Sequence, residues 1–280
     1  MKFEVFCELK YEVLAATTFV FNIQALVTSN QFILREQIHT DPPLNFEEYT
    51  TPETRFIKLQ VPDKMNFTIS YSAAVDVHHK IVAEESLVNS YSIVDMPPQV
   101  IAYLFPSRYC QSDKLEKFST KKFGHFQNDF EKVIAIKEWI YNNIEYLGGF
   151  TTSSTSAHDT LTERVGVCRD FAHLGIALCR ALSIPARYFT AYAFNLKPPD
   201  FHACFEAFIG GEWILFDPTK LVPVNGLIKI ANGRDAADAS IASIFGNAFC
   251  TSLTVQCNST DENFKAFALH NVDNPRGLSY

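Results

Sequence analysis

An α+β protein is predicted for this 280-residue chain: an N-terminal antiparallel β-sandwich, then a half that mixes helices with strands. Three observations predict it. Up to residue 77, apolar and polar residues alternate with period 2, as half-buried strands require. Beyond residue 106, apolar residues recur every three to four positions, the helical period. Between residues 188 and 216 the strand period returns, around a Gly-Gly turn.

Phe3, Val5, Cys7, Leu9, Tyr11 and Val13 oppose Lys2, Glu4, Glu8, Lys10 and Glu12 on a first strand. Phe19, Phe21, Ile23 and Ala25 repeat the pattern. Ile57, Leu59 and Val61 form another strand, closed by Pro62, and a longer one runs from Phe67 to Val77. Asp41-Pro42-Pro43 and Val61-Pro62-Asp63 punctuate them, the spacing of a small sandwich. Asp95-Met96-Pro97-Pro98 marks its exit. Pro106-Ser107-Arg108-Tyr109 opens a polar helical stretch. A stronger helix spans Phe130 to Tyr146, with Val133, Ile136, Ile140 and Ile144 on one face, and Gly148-Gly149 stops it. Residues 150–160, rich in Ser and Thr, read as a loop. Cys168, Phe171, Leu174, Leu178 and Leu182 trace an apolar helix that ends before Pro185. Tyr188 to Phe194 reads as a strand. His202 to Ile209 and Trp213 to Phe216 read as a hairpin about Gly210-Gly211. Residues 219–280 are less legible, and no internal repeat or low-complexity tract occurs.

The length favours two domains, and a 47% hydrophobic content can bury a sizeable core. A net charge of -7 without a long basic run argues against nucleic-acid binding. Lys114, Lys117, Lys121 and Lys122, interrupted by Glu116, read as a solvated helix face. No stretch is apolar for long enough to span a bilayer. Glu4, Glu8 and Glu12 precede any apolar run, unlike a secretory signal. The seven cysteines are odd in number and include no Cys-x-x-Cys pair, which speaks against a structural zinc site or a thioredoxin-like redox site. Reduced thiols in a cytoplasm are the simplest expectation, with no membrane or nucleic-acid partner, no metal and no cofactor. No cluster has the form of a calcium loop.

Gly166-Val167-Cys168-Arg169-Asp170-Phe171-Ala172-His173-Leu174 is the most informative stretch. A cysteine on an apolar helix is usually a small buried hydrophobe, and Cys179 fits that description. Cys168 differs by standing in the first turn, where unpaired N–H groups and the macrodipole favour a thiolate. Gly166 before it allows close backbone approach. His202 follows in Asp-Phe-His-Ala-Cys-Phe-Glu-Ala-Phe, and Asp217 in Trp-Ile-Leu-Phe-Asp-Pro-Thr. Nucleophile, base and base-orienter thus occur in order. Two paired strands would bring His202 and Asp217 within ~5 Å, although Asp217 is also an ordinary Asp-Pro turn. His173, about 500° around the helix from Cys168, reads as a packed or partner-bound ring. The Cys168 backbone N–H is one expected oxyanion donor; the second is not named by sequence.

These residues resemble the transglutaminase-like superfamily, in particular a bacterial branch labelled as cysteine proteases with its own N-terminal β domain. Leu104-Phe105-Pro106-Ser107-Arg108-Tyr109-Cys110 is similar to that branch's linker. Residues 166–174 resemble its nucleophile motif, Ile184-Pro185-Ala186-Arg187-Tyr188 its continuation, and Phe216-Asp217-Pro218-Thr219 its acid motif. Gly233-Arg234-Asp235-Ala236-Ala237-Asp238 resembles a downstream element. The resemblance implies a β-sandwich domain over residues 1–105 and a papain-like transglutaminase core over 106–280, the nucleophile helix packed on an antiparallel sheet. It carries catalytic roles onto Cys168, His202 and Asp217. One departure stands out: where the family often has Ser-His-Ala-Trp, this chain has Phe201-His202-Ala203-Cys204. Cys204 then shares a strand face with His202. Asp170, Arg187, Arg234 and Asp235 could form a charged framework, or be surface ion pairs of little energetic weight.

The expected activity is thiol-dependent amide hydrolysis, as a cysteine peptidase or amidase working through a thioester. The alternatives are acyl transfer to an amine, as in crosslinking, and a non-catalytic binding module that keeps the fold. The expected partner is a peptide, protein or small amide substrate. The N-terminal domain offers a face for a protein partner.

Overall fold

The structure is a computed structural model in which residues 1–88, 91–267 and 276–280 are described. Six strands occupy the first 77 residues: β1 (Lys2–Val13), β2 (Thr17–Phe21), β3 (Gln31–Asp41), β4 (Phe46–Thr50), β5 (Arg55–Val61) and β6 (Met65–Val77). The short strand β7 (Lys80–Ala83) follows, with the one-turn helices α1 (Glu84–Leu87) and α2 (Pro98–Ile101). Then come α3 (Ser112–Phe123), α4 (Asp129–Asn143), β8 (Glu145–Tyr146), α5 (Ala157–Glu163), β9 (Val165–Gly166) and α6 (Cys168–Arg180). The remainder is β10 (Ala186–Ala193), β11 (Phe201–Ile209), β12 (Glu212–Phe216), β13 (Leu227–Gly233), β14 (Ala242–Phe245), β15 (Ala248–Ser259) and β16 (Arg276–Ser279). The fold is α+β, with antiparallel sheets dominant.

The sandwich sheets run β15-β1-β6-β3 and β14-β2-β5-β4. The alternation on β1 holds: all six of its odd-numbered residues from Phe3 to Val13 are buried. They face Phe19, Phe21, Ile57 and Leu59 across the sandwich, each large side chain contributing about 2 kcal/mol by leaving water. Two of the eight strands come from residues 242–259. The chain therefore does not divide cleanly at residue 105. Its illegible C-terminal part returns to add an edge strand to each sandwich sheet. Edge strands are half solvated, which removes the alternation that marks a strand. The same reason hides β3 and β4, the other two edges, from a periodicity reading.

Two further elements depart from the sequence reading. The α4 helix ends at Asn143, and Ile144 is already extended. Tyr146 then pairs in parallel with Gly166, so it belongs to a strand beside the cysteine helix. Within the expected 150–160 loop, α5 begins at Ala157. Ser156 and Asp159 form a reciprocal capping box there, a signal the sequence carried as Ser-x-x-Asp. The lysine-rich α3 does expose Lys114, Lys117, Lys121 and Lys122.

A third four-stranded sheet runs β12-β11-β10-β13, and α6 lies on it. Gly175 makes this contact possible, because a Cβ there would stand 2.5 Å from the Phe205 ring. The same sheet is fastened to the sandwich. Gln31 donates from Nε2 to the Lys229 carbonyl at 2.8 Å and accepts the Lys229 N–H at 2.8 Å. The Tyr192 hydroxyl donates to the Ile23 carbonyl at 2.5 Å. Among the described residues no helix is long and apolar enough to cross a membrane.

A buried charge network crosses this sheet. Glu206, fully enclosed, accepts Lys229 Nζ at 2.9 Å, Arg187 Nε at 2.6 Å and Asn232 Nδ2 at 3.0 Å. Burial pushes the Lys229 ammonium down to about 8, against the opposing pull of Glu206. Glu206→Ala leaves two cations without a counter-charge inside the sheet. Removing one partner of a buried pair costs about 3–5 kcal/mol, so urea denaturation should show a loss of that size. A change under about 1 kcal/mol would mean that water replaces the carboxylate.

Candidate active site

Cys168 is the first residue of α6 and is half-buried. The turn that carries it is held from below by Asp170, which is fully enclosed. Asp170 Oδ2 accepts the Val167 N–H at 3.0 Å and the Thr151 hydroxyl at 2.8 Å. Its Oδ1 accepts from Arg169 Nη2 at 3.2 Å, and the same guanidinium nitrogen donates to the Thr152 carbonyl at 2.7 Å. A helix start always presents unpaired N–H groups; here one is taken by the carboxylate. Gly166 is required because a Cβ there would lie 2.7 Å from Asp170 Cβ. The close approach expected at this glycine is thus made by the helix's own side chain.

His202, on β11, is 1% exposed. Its Nε2 lies 3.0 Å from Asp217 Oδ2. Asp217 Oδ1 accepts the Thr219 N–H at 2.8 Å and its hydroxyl at 2.7 Å, so the Asp-Pro-Thr turn fixes the carboxylate. The last register pair of the hairpin is Phe205 with Phe216. Asp217 therefore stands just past the end of β12 and reaches His202 diagonally, not as a directly paired neighbour. Burial opposes charge on the ring, but the Asp217 carboxylate and its hydrogen bond, together with the two nearby cysteines, outweigh it and hold the His202 pKa well above its ordinary 6.5. The same pairing keeps the Asp217 carboxyl low despite burial.

The thiol side of the ring is looser. Cys168 and Cys204 are both near enough to influence its protonation. His202 Nδ1 nevertheless makes no complete hydrogen bond, and with Nε2 engaged by Asp217 it is the nitrogen left for a thiol. Such contacts are often long before substrate arrives. Cys168 and His202 line one cavity of about 410 Å³, together with Tyr188, Thr190, Phe201 and Ile241.

Cys204 shares the neighbourhood but not the cavity. It is fully buried, and burial pushes its thiol up to about 12. His202, Cys204 and Asp217 bring three donor atoms within 4.8 Å of one another, a spacing that could hold a metal ion. Both Asp217 oxygens already accept hydrogen bonds, and His202 Nε2 is held by one of them.

One functional candidate escaped the sequence reading. The Tyr146 hydroxyl lies close enough to Cys168 to feel its charge. Burial first, and then the neighbouring Cys168, pushes its phenol up to about 12. Its ring packs edge-on against Phe171 at 5.5 Å. The signal lay in reading Tyr146 as a helix residue, when the Gly148-Gly149 break already marked the chain's change of direction.

The charged framework expected from Asp170, Arg187, Arg234 and Asp235 is not one unit. Only Asp170 adjoins Cys168. Arg187 belongs to the Glu206 network, and Arg234 pairs with Asp238 at 2.8 Å on the surface. Asp235 accepts the Tyr109 N–H at 2.9 Å and the Ala237 N–H at 2.9 Å. His173, as expected, is a packed ring: it stacks on Tyr109 at 5.0 Å and accepts the Ala236 N–H at 3.1 Å. Burial drives its pKa down to about 3. Arg180, at the far end of α6, donates to the carbonyls of Phe105 at 3.0 Å and Arg234 at 2.6 Å. Linker and downstream motifs are thereby bound to the cysteine helix.

A cysteine at a helix start, with a carboxylate-bound histidine on an antiparallel sheet, defines the class of papain-like thiol folds. Residues 116–218, which include all three candidate residues, match the family model described as transglutaminase-like superfamily. Residues 1–99 match the model of the bacterial transglutaminase N-terminal domain. The chain is 54% identical to the solved structure of a protein titled "putative cysteine protease" from Cytophaga hutchinsonii, with a TM-score of 0.97, covering 100% of this chain and 97% of that one. The chain belongs to the transglutaminase-like superfamily. It is also 28% identical over 178 residues to an uncharacterized protein of Mycobacterium leprae, 60% of this chain and 62% of that one. A similar protein of Mycobacterium bovis matches at 28% over 168 residues, 55% of this chain and 50% of its own length. The chain thus spans between half and two thirds of these mycobacterial relatives. Fold and neighbours together indicate a thiol-dependent enzyme in the broad sense.

The His202–Asp217 pair has a pH signature. A raised folded-state pKa means the native protein holds a proton the unfolded chain releases above about 6.5. The stabilisation is complete below that value and is lost as pH rises through the folded pKa. In chemical denaturation at increasing pH from 6 upward, the stability advantage of the wild type over His202→Gln should therefore shrink. An advantage that grows with pH would show that the ring is neutral when folded.

Proposed function

We propose that this protein is a cysteine peptidase or amidase that uses Cys168 as nucleophile, His202 as proton carrier and Asp217 as the group that orients it. The observation carrying this reading is the shared cavity: Cys168 and His202 stand on its wall, and Asp217 holds the ring from the opposite side at 3.0 Å. The Cys168 thiolate attacks the amide carbon, and the carbonyl π pair moves onto oxygen. Collapse of that intermediate breaks the C–N bond. The departing nitrogen takes the proton from His202, leaving a thioester on Cys168 and a neutral imidazole. Water then gives a proton to His202 as its oxygen attacks the thioester carbon. Release of the carboxylic acid restores thiolate and imidazolium.

Asp217 supports the positive ring in each half-reaction and selects the tautomer that presents Nδ1 to sulfur. Two donors are available for the oxyanion: the Cys168 N–H at the helix start and the Tyr146 hydroxyl beside it. Water as acceptor needs no further binding site, which favours hydrolysis over amine transfer. Seven free cysteines support a reducing, cytoplasmic setting.

Iodoacetamide labelling followed by peptide mapping tests the nucleophile. Cys168 should react faster at neutral pH than Cys250, an exposed thiol. Equal rates would remove the basis for thiol chemistry. Cys168→Ala should abolish turnover of peptide amides yet melt within a few degrees of the wild type; gross unfolding would mark Cys168 as a packing residue instead. Tyr146→Phe should lower kcat by about 100- to 1000-fold, the range for losing one oxyanion donor, with little change in KM. Adding a labelled primary amine to the same assay separates transfer from hydrolysis by the product formed.

A further inference from the structure

The turn that carries Asp217 is fastened to helix α4 at both ends. Phe216, the residue before the acid, packs on Phe130 with ring centroids 6.2 Å apart. Lys220, at the far end of the turn, donates from Nζ to Glu138 Oε2 at 2.6 Å. The same ammonium stands 4.1 Å from the centre of the Tyr141 ring. Lys220 has a φ of 56°, a left-handed conformation that is costly for a residue with a side chain. Glu138 and Tyr141 hold that side chain where the strained turn puts it.

This contact contains a charge that packing alone does not explain. Lys137, also on α4, is 2% exposed, and its Nζ lies 3.2 Å from Glu138 Oε1. Adjacent helix residues do not ordinarily face each other. Here their charged ends converge, with Glu138 between the ammonium groups of Lys137 and Lys220. Lys137 is also close enough to Asp217 to feel its charge. Burial presses the Lys137 pKa down, Lys220 adds to that, and Glu138 and Asp217 oppose it. A methionine would fill the same space without burying a charge.

We propose that Lys137 is a positioning residue of the triad: a buried cation that, with the Glu138–Lys220 clamp, holds the Asp217 carboxylate and makes His202 a stronger acid. Two cations then share one carboxylate, and each weakens the other's hold on its proton. His202 gives its proton to the departing amine, so a ring less basic than Asp217 alone would make it transfers that proton more readily. The other titratable groups near the ring are Cys168 on α6, Cys204 on its own strand, Asp200 just before that strand and Tyr146 on β8. Lys137 is the added cation behind the acid. The proton-donor role rests on the thiol reading above; the charge coupling does not.

NMR titration of the His202 ring tests the coupling without turnover. The chain has eight histidines, so the signal is assigned by its loss in His202→Gln. Lys137→Met should raise the His202 pKa by about one pH unit, the scale of a unit charge several ångströms away inside a protein. Lys137→Gln, a second neutral side chain, should move it the same way and stands in should methionine disturb folding. Lys122→Met, on the exposed face of α3, removes the same net charge and should leave it in place. Mere loosening of the turn would move the pKa the other way, toward the ordinary 6.5, because the carboxylate would drift. An unchanged or lowered His202 pKa in both neutral variants would overturn the proposal.

The clamp is tested separately. Lys220→Gly keeps a backbone at ease with positive φ while deleting the contacts with Glu138 and Tyr141. It should lower the His202 pKa and reduce kcat on a peptide amide about tenfold with KM within about twofold. Lys220→Arg, which keeps the charge, should restore both. Wild-type titration and kcat in Lys220→Gly would remove the clamp from the proposal's support and overturn it. A His202 pKa that responds as expected, in a protein that turns over no peptide amide, would count against hydrolysis and leave the coupling intact.

Discussion

Everything at the candidate site depends on how the first turn of α6 is held. A nucleophile at a helix start must stay fixed while its own N–H remains free to meet an oxyanion. The Asp170 carboxylate resolves this by taking the Val167 N–H one residue earlier, together with the Thr151 hydroxyl. That arrangement works only because Gly166 has no side chain to collide with Asp170. The β8–β9 pairing then sets Tyr146 opposite Gly166. One backbone contact therefore determines where the sulfur, its N–H and the phenol stand relative to one another.

The far side of the site is built on the opposite plan, with side chains fixed by burial. His202 and Asp217 lie inside the sheet, where a charged ring without a carboxylate would be costly. Burial and pairing thus pull the ring's protonation in opposite directions, and pairing prevails. Cys204, two residues along the same strand, shows what the environment does to an unpaired thiol: burial drives its pKa up and leaves it inert. The two cysteines nearest His202 differ in access. Cys168 opens onto the cavity, whereas Cys204 is sealed.

Sequence reading recovered much of this arrangement, for reasons visible in particular residues. The alternation of Phe3 to Val13 and of Phe67 to Val77 was legible because both strands lie in the middle of a sheet with one face buried. The β3, β4, β14 and β15 strands are edges, and their solvated faces erase the pattern. The Gly210-Gly211 hairpin was legible because positive φ at both residues, 60° and 86°, suits glycine. Tyr146 was misplaced because its neighbours continue a helical apolar period through Ile144, while the strand that claims it is twenty residues away.

The order Cys168, His202, Asp217 and the helix beneath the first of them were fixed by local sequence, since capping, periodicity and turn chemistry act over a few residues. Sequence also determined that no long basic run or long apolar span exists. Tertiary structure alone decided which groups meet. It brought the C-terminal strands back onto the sandwich, placed Tyr146 near Cys168 and walled Cys204 off from the cavity. These outcomes arise from packing between segments far apart along the chain, and the free energy of such contacts depends on distances that no local pattern encodes.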